Sequence, residues 1–216
     1  MNINSKDYHD YVFKNGVLIG EFDQMYQKSK GIPWNQDKAS EQWFNKISLA
    51  IIKRALDDPC VKSIHEIGCG LGYCISNFRN KGYELSGSDI SKVAIFEAKR
   101  KFSKINFVVD DIRVPKKRPC YDLVLINALF WYVFPQLKNV LKNIDSMVHK
   151  GGYVFIAESF PKLSSNFVGK KIIPNPEKLA DLFSDFLNPI VDARVIKMEY
   201  PKDGPNFYWL GKKINK

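Results

Sequence analysis

Three glycines and an acid follow a short apolar run at residues 61–64, and these residues are well suited to hold a ligand. The stretch HEIGCGLGY (residues 65–73) has glycine at the alternate positions Gly68, Gly70 and Gly72, directly after Glu66. Glycine allows a tight turn whose backbone can approach a ligand closely. The helical pattern that follows would direct its first N–H groups at whatever lies in the loop. The stretch predicts a nucleotide-type cofactor site, with an ordinary strand-turn-helix corner as the alternative.

Polar side chains also end three later strand-like runs. These runs are YELSGSD (residues 83–89, ending at Asp89), NFVVDDI (residues 106–112, containing Asp110 and Asp111) and YDLVLIN (residues 121–127, ending at Asn127). Helical patterns alternate with them at residues 72–80, 91–102 and 137–148, as in a doubly wound parallel sheet. Ligands of such sheets bind outside the carboxyl ends of the strands. We therefore expect these side chains to meet Glu66 at one edge of the sheet.

These motifs together resemble the class I S-adenosylmethionine (SAM) dependent methyltransferases. A dinucleotide-binding loop has the spacing G-x-G-x-x-G, whereas here the third glycine comes one residue early and Glu66 precedes the first. The resemblance covers about residues 60–160, including the turn and fifth strand KGGYVFI (residues 150–156). It implies an α/β fold, a doubly wound seven-stranded Rossmann-like sheet with a reversed final strand. Residues 191–200 and 206–213 predict the terminal hairpin that supplies this strand.

The same resemblance implies SAM as the cofactor, S-adenosylhomocysteine as the product, and no metal. Glu66 would hold the ammonium group, Asp89 the ribose hydroxyls, and Asp111, in preference to Asp110, the adenine amino group. The predicted cofactor contacts are Glu66, Gly68, Cys69, Gly70, Asp89, Ile90, Asp111, Ile112 and Asn127. Cys69 is expected as a small loop-filling residue, since the four cysteines lack the spacing of a zinc site or a disulfide framework.

Acceptor chemistry has less specific candidates. Tyr132 lies in an aromatic stretch after the fourth strand, and its expected role is to orient an acceptor, to take a proton through a relay, or only to pack under the following helix. Glu158, at the end of the fifth strand, is a candidate base or amine contact, or a structural residue. Tyr26 and Trp34, in the predicted N-terminal lid, either anchor that lid or close over the cofactor and bind substrate. The aromatic stretch and Ile32-Pro33-Trp34 loosely resemble the NodS-like N-methyltransferases of chitooligosaccharides, although the acid before the proline is absent.

The chain has the size and composition expected of one globular domain. It has 216 residues, 45% of them hydrophobic and 26% charged. We expect an N-terminal lid and helical segment (residues 1–59), a SAM-binding core (60–160) and a variable loop, helix and hairpin (161–216). The N-terminus lacks a signal-peptide core and no apolar run approaches ~18 residues, so we expect a cytoplasmic protein without a membrane span.

The net charge of +10 fits a lysine-rich solvated surface, a phosphate-bearing small acceptor or an RNA partner. We predict methyl transfer to O or N of a small molecule, with a saccharide or cell-surface glycan building block, phosphate-bearing or not, as the leading class. An RNA methyltransferase and a non-catalytic SAM-binding or scaffold protein are the alternatives. Nucleic acid is the less favoured partner, because Asn127-Ala128-Leu129-Phe130 lacks the Asn/Asp-Pro-Pro-aromatic motif of nucleic-acid amino methylases. The sequence does not predict the oligomeric state.

Overall fold

A computed structural model describes residues 8–38, 43–160, 168–196 and 204–214 of the chain. Its helices are α1 (Phe22–Lys28), α2 (Trp43–Leu56), α3 (Lys92–Lys101), α4 (Phe130–Val133), α5 (Leu137–Ser146) and α6 (Pro176–Asp181). Its strands are β1 (Phe13–Lys14), β2 (Val17–Leu18), β3 (Ser63–Ile67), β4 (Glu84–Asp89), β5 (Asn106–Val109), β6 (Tyr121–Asn127), β7 (Val148–Ser159), β8 (Leu187–Val195) and β9 (Asn206–Lys213). Short 3-10 helices connect several of these elements.

Seven of the strands form one sheet in the order β5-β4-β3-β6-β7-β9-β8. Strands β3 to β7 pair in parallel, and β9 runs antiparallel to both of its neighbours. The predicted seven-stranded sheet with a reversed final strand is therefore confirmed. The predicted fourth strand is also confirmed, since β6 has the predicted bounds.

A hydrophobic core covers each face of the sheet. Along β6 the buried side chains alternate, so that Val124 and Ile126 belong to one core while Leu123 and Leu125 belong to the other. The first core includes residues of α5 and α6, and the second includes residues of α2 and α3. A strand buried on both faces accounts for the continuous apolar run that predicted it.

The N-terminal residues form a small aromatic layer of their own. The turn Asn15-Gly16 joins β1 to β2, and both turn residues have positive φ, as a two-residue hairpin requires. Tyr11, Val12 and Met25 are buried, and the surrounding ring contacts extend to Tyr132. We call residues 8–38 the lid. No helix of the described residues is both long and apolar enough to cross a membrane.

The predicted helix at 72–80 is wrong. The structure has instead a single 3-10 turn, Ile75–Phe78. Gly72 has a φ of +79°, and Asn77 Nδ2 donates to the carbonyls of Tyr73 and Cys74. Ser76 Oγ also donates to the Tyr73 carbonyl. Side-chain bonds of this kind compete with the backbone bonds of a longer helix.

The third core strand is shorter than predicted, because it ends at Val109 rather than at residue 112. Asp110 and Asp111 turn away to meet arginines instead of extending the sheet. The sequence also predicts a helix cap at Ser40, and this residue lies outside the described residues. The division of the chain into lid, core and variable segment remains a prediction.

Candidate functional site

A cavity of about 250 Å³ lies at the carboxyl ends of β3, β4 and β6. The lid supplies one wall through α1 and the 3-10 helix Pro33–Lys38, and the core strands supply the opposite wall. The sequence-predicted residues in its lining are Tyr26, Trp34, Glu66, Gly68, Cys69, Asp89, Ile90, Asp111, Ile112, Asn127 and Tyr132. The fold therefore brings together most of the predicted site.

The glycine loop turns sharply after β3. Gly68, Gly70 and Gly72 have φ values of +71°, +50° and +79°, a region that side chains of L residues rarely adopt. The Cys69 N–H donates to the Ser88 carbonyl, which ties the loop to β4. Cys69 is 4% exposed and its Sγ would lie 3.0 Å from a Cβ on Gly87. This contact agrees with its expected loop-filling position.

Glu66 is a buried acid in the cavity wall. Its Oε2 accepts from the Ile75 N–H at 3.0 Å, and its Oε1 accepts from Asn127 Nδ2 at 3.1 Å. Burial raises the pKa of Glu66 to about 7, against the lowering effect of these two donors. Asn127 Oδ1 is buried and has no hydrogen-bond partner among the described atoms. The site thus presents two acceptors, an acid and an amide oxygen, to a ligand that carries donors.

Asp89 is fixed by the backbone at the end of β4. One carboxylate oxygen accepts from the Gly70 N–H at 2.8 Å, and the other accepts from the Ser91 N–H at 2.8 Å. Burial raises the pKa of this carboxyl group. A carboxylate has about four lone-pair sites, so each oxygen keeps capacity for a further donor. Ile90, the next residue, is 38% exposed and borders the cavity.

Asp110 and Asp111 both reach the cavity lining, yet they differ in their partners. Asp110 pairs with the buried Arg118 and with Lys116, each at 2.6 Å. Burial alone would raise the pKa of Asp110, but these cations lower it. Asp111 accepts two bonds from the Arg113 side chain, both at 2.8 Å, and one from the Arg113 N–H at 2.9 Å, and these bonds lower its pKa. Side-chain exposure is 7% for Asp110 and 26% for Asp111, so Asp111 is the more accessible of the two.

Aromatic rings close the end of the cavity near β6. The Tyr132 ring lies 5.6 Å from Phe22, 5.8 Å from Phe13 and 5.9 Å from Trp34, between ring centroids. The Trp34 side chain lies beside Tyr132 and has a lowering effect on the pKa of its hydroxyl group. Burial raises the pKa of Tyr132, and the negative charge of Glu158 raises it further. Tyr132 is therefore protonated at neutral pH and packed under the lid.

Glu158 does not line the cavity as the described residues form it. Its carboxylate accepts from the N–H groups of Phe130 and Ser159, at 3.0 and 3.1 Å. The residue is 1% exposed, and burial raises its pKa to about 8. These contacts hold the start of α4, the helix that carries Tyr132. The geometry does not support a direct contact with an acceptor, and the catalytic role of Glu158 remains only a prediction.

Several lining residues were missed by the sequence reasoning. Gln36 and Phe22 come from the lid, Cys74 follows the glycine loop, and Arg113 pairs with Asp111. Gln36 lies two residues after Trp34, and this proximity is the one signal that could have suggested it. Gly70 is not itself in the lining, because Gln36 and Tyr26 lie against it. No three His, Cys, Asp or Glu side chains cluster as a metal site in the described part of the chain.

Comparisons with known proteins agree on the type of domain. Residues 65–156 match the family model described as a methyltransferase domain. Malonyl-[acyl-carrier protein] O-methyltransferase 2 of Ilyobacter polytropus is 31% identical over 106 residues, which are 47% of this chain and 40% of that protein. The match thus spans less than half the length of that curated relative.

Solved structures are similar over most of the chain. The N-methyltransferase NodS from Bradyrhizobium japonicum WM9, in complex with S-adenosylhomocysteine, is 16% identical with a TM-score of 0.66, covering 88% of this chain and 97% of that one. Magnesium protoporphyrin IX methyltransferase (ChlM) from Synechocystis PCC 6803 is 14% identical with a TM-score of 0.61, covering 88% and 92%. At such identities these similarities establish the fold.

Proposed function

Because residues 65–156 match a methyltransferase domain, we propose that the chain transfers a methyl group from SAM to oxygen or nitrogen of a small molecule. The observation that carries the proposal is the pair of acceptors at the ends of β3 and β6, the Glu66 carboxylate and Asn127 Oδ1, which has no hydrogen-bond partner in the described part of the chain. A buried acceptor without a donor is costly. An ammonium group, with three N–H donors, suits both of them.

The remaining polar side chains fit the adenosyl part of the same cofactor. Asp89 is oriented by two backbone N–H groups and keeps lone pairs for ribose hydroxyls. Asp111, the more exposed of the two aspartates, is our candidate for the adenine amino group, beside Ile112. Gly68 and Cys69 would lie along the amino-acid part, and Ile90 beside the adenosine. When bound, SAM supplies an electrophilic methyl group on a sulfonium.

Methyl transfer requires little of the protein beyond the correct positions of the reacting atoms. Methyl transfer from a sulfonium is an in-line displacement, and holding the reacting atoms in line is worth roughly 7 to 11 kcal/mol. Tyr26, Trp34 and Tyr132 line the cavity with aromatic rings, which can attract a cation and exclude water. We propose that Tyr132 orients the acceptor and that Glu158 acts indirectly, by holding the start of α4.

We propose a saccharide or other glycan building block as the acceptor class. Support comes from the aromatic cavity end, which suits the apolar face of a sugar ring, and from the resemblance to NodS-like enzymes. The excess of positive charge, +10, supports an acceptor that carries phosphate. The arguments from the aromatic rings and from the net charge do not use the cofactor-binding residues, so these two are independent of the cofactor assignment.

The first experiment is a calorimetric titration with SAM and S-adenosylhomocysteine, with NAD as the control. We expect micromolar binding of both adenosyl ligands and no binding of NAD. Labelled methyl transfer is then measured with nucleotide sugars, glycan fragments and RNA. Transfer to RNA alone would overturn the small-molecule assignment, and binding without transfer to any acceptor would favour a non-catalytic SAM-binding protein.

Tyr132→Phe tests the acceptor side separately. This change keeps the ring and removes the hydroxyl group beside Trp34. We expect turnover to fall by about ten- to a hundredfold with unchanged affinity for S-adenosylhomocysteine. Equal turnover of the variant and the parent would assign Tyr132 to packing alone.

A further inference from the structure

Gln36 of the lid lies directly on the glycine loop. Its Oε1 accepts from the Leu71 N–H at 2.9 Å, and its Nε2 donates to the Tyr26 hydroxyl group at 3.1 Å. A Cβ built on Gly70 would lie 2.6 Å from Oε1 and 2.7 Å from Nε2. The side-chain amide therefore covers the Gly70 backbone and takes one donor of the loop.

The backbone before Gln36 is strained. Trp34 and Asn35 have φ values of 55° and 49°, in the left-handed region that residues other than glycine rarely adopt. Such conformations persist only where their surroundings enforce them, and they cluster at ligand clamps and switch regions. The Trp34 ring is held by Tyr26 and Tyr132, at 6.3 and 5.9 Å between ring centroids. The strained reversal brings Gln36 onto the loop.

Resting on the function proposed above, we propose that Gln36 is an intramolecular competitor for the carboxylate of the cofactor's amino-acid end. The ammonium and carboxylate groups of an amino acid share one carbon atom. A ligand whose ammonium lies at Glu66 must therefore place its carboxylate close to that acid, and the loop that directly follows Glu66 offers the Leu71 N–H. The Gln36 amide oxygen and a carboxylate oxygen can each accept a hydrogen bond from the Leu71 N–H, and the charged acceptor makes the stronger bond.

The Tyr26 hydroxyl group can also replace its bond to Gln36 with a bond to the ligand carboxylate. Burial and the charge of Asp89 raise the pKa of Tyr26 well above its ordinary value, so the hydroxyl group keeps its proton. That hydroxyl accepts from Gln36 in this structure, and it can rotate to donate to a carboxylate. Gln36 and Tyr26 both line the cavity, so their side chains lie where a ligand would enter this end of it. A ligand with a carboxylate must displace Gln36, whereas a ligand without one need not.

The test compares S-adenosylhomocysteine with 5′-methylthioadenosine, which lacks the amino-acid group. Calorimetry is run on the parent protein, on Gln36→Ala, and on Gln24→Ala as the matched control, since Gln24 is exposed on α1 and bonded to Lys28. Loss of one competing hydrogen bond should make S-adenosylhomocysteine bind roughly three- to tenfold more tightly to Gln36→Ala. The affinity for 5′-methylthioadenosine should not change, and Gln24→Ala should match the parent for both ligands.

The inference is overturned if Gln36→Ala does not bind S-adenosylhomocysteine more tightly than the parent protein does. Weaker binding of S-adenosylhomocysteine to Gln36→Ala would mean that Gln36 makes a favourable contact with the ligand. Equal binding would mean that Gln36 does not compete with the ligand. Equal tightening for both ligands would make Gln36 a general restraint on the lid. If Gln36→Ala does not fold, Gln36→Asn, which keeps the amide but shortens the reach to Leu71, must give the same tightening. A parent protein that binds neither ligand overturns the proposed function and this inference together.

Discussion

Glu66 should make cofactor binding depend on pH in the neutral range. Its pKa is about 7, because burial opposes its ionisation. An ammonium ligand binds to the ionised carboxylate, so the affinity should weaken as the pH falls through 7. About three quarters of the Glu66 side chains are ionised at pH 7.5 and about one tenth at pH 6.0. The predicted loss of affinity across this interval is therefore about eightfold.

Calorimetry from pH 5.5 to 7.5 measures this dependence directly. Repeating each titration in two buffers of different ionisation enthalpy counts the protons released on binding, and we expect about 0.9 per ligand at pH 6.0. Asp89 also has a raised pKa. 5′-Methylthioadenosine contacts Asp89 in our proposal but lacks the ammonium, so the difference between the two ligands isolates Glu66.

Two variants sharpen the result. Glu66→Gln should reduce the pH dependence for S-adenosylhomocysteine to that of 5′-methylthioadenosine, and it should weaken S-adenosylhomocysteine by about ten- to a hundredfold, the contribution of a hydrogen bond to a charged group. Glu158→Gln removes an acid of similar pKa, about 8, that lies outside the cavity lining, and it should keep the dependence. Our reasoning is refuted if the two ligands still differ in pH dependence in Glu66→Gln, or if 5′-methylthioadenosine shows the same pH dependence as S-adenosylhomocysteine in the parent protein.

Two further predictions concern stability, measured by denaturant unfolding. Gly72→Ala should lower the free energy of unfolding by about 2–4 kcal/mol, because φ is +79° and the new Cβ would lie 2.6 Å from the Phe107 ring. The control Gly82→Ala, where φ is +81° and the space is open, should lower it by only about 1–2 kcal/mol. Equal losses for the two variants would contradict the steric argument. Asp122→Ala should cost about 1–3 kcal/mol, because Asp122 accepts from Lys62 N, Ser63 N and Ser63 Oγ. Hydrogen bonds lower the pKa of Asp122 to about 2 although burial alone would raise it, so this contribution should persist at neutral pH and disappear as the pH falls through about 2. The exposed Asp57→Ala is the control and should cost under about 0.5 kcal/mol.

The sheet could be predicted closely because its strands are buried on both faces. Residues 123–126 are uniformly apolar, and polar residues bound them on either side, so the limits of β6 were visible in the sequence. The predicted strand ends also placed Asp89 and Asn127 near each other, since parallel strands end at a common edge of the sheet. The site residues at strand ends were therefore predictable from periodicity together with the resemblance.

Residues placed by long-range contacts were not predictable in this way. The apolar spacing at 72–80 suggested a helix, but the polar side chains of Ser76 and Asn77 satisfy local carbonyls instead. Gln36 reaches the N–H of Leu71 across 35 positions of sequence. No local pattern marks such a contact, and none marks the left-handed backbone at Trp34.

The lid connects the two ends of the proposed cofactor site. Asp23 of α1 accepts from Ser91 Oγ at 2.6 Å and from the Val93 N–H at 3.2 Å, next to Asp89. Gln36 makes the corresponding tie to the glycine loop. The lid also supplies most of the rings around Tyr132, yet residues 8–38 lie outside the matched residues 65–156. Similarity in the core therefore carries the cofactor assignment, whereas the acceptor must be found by experiments on the lid.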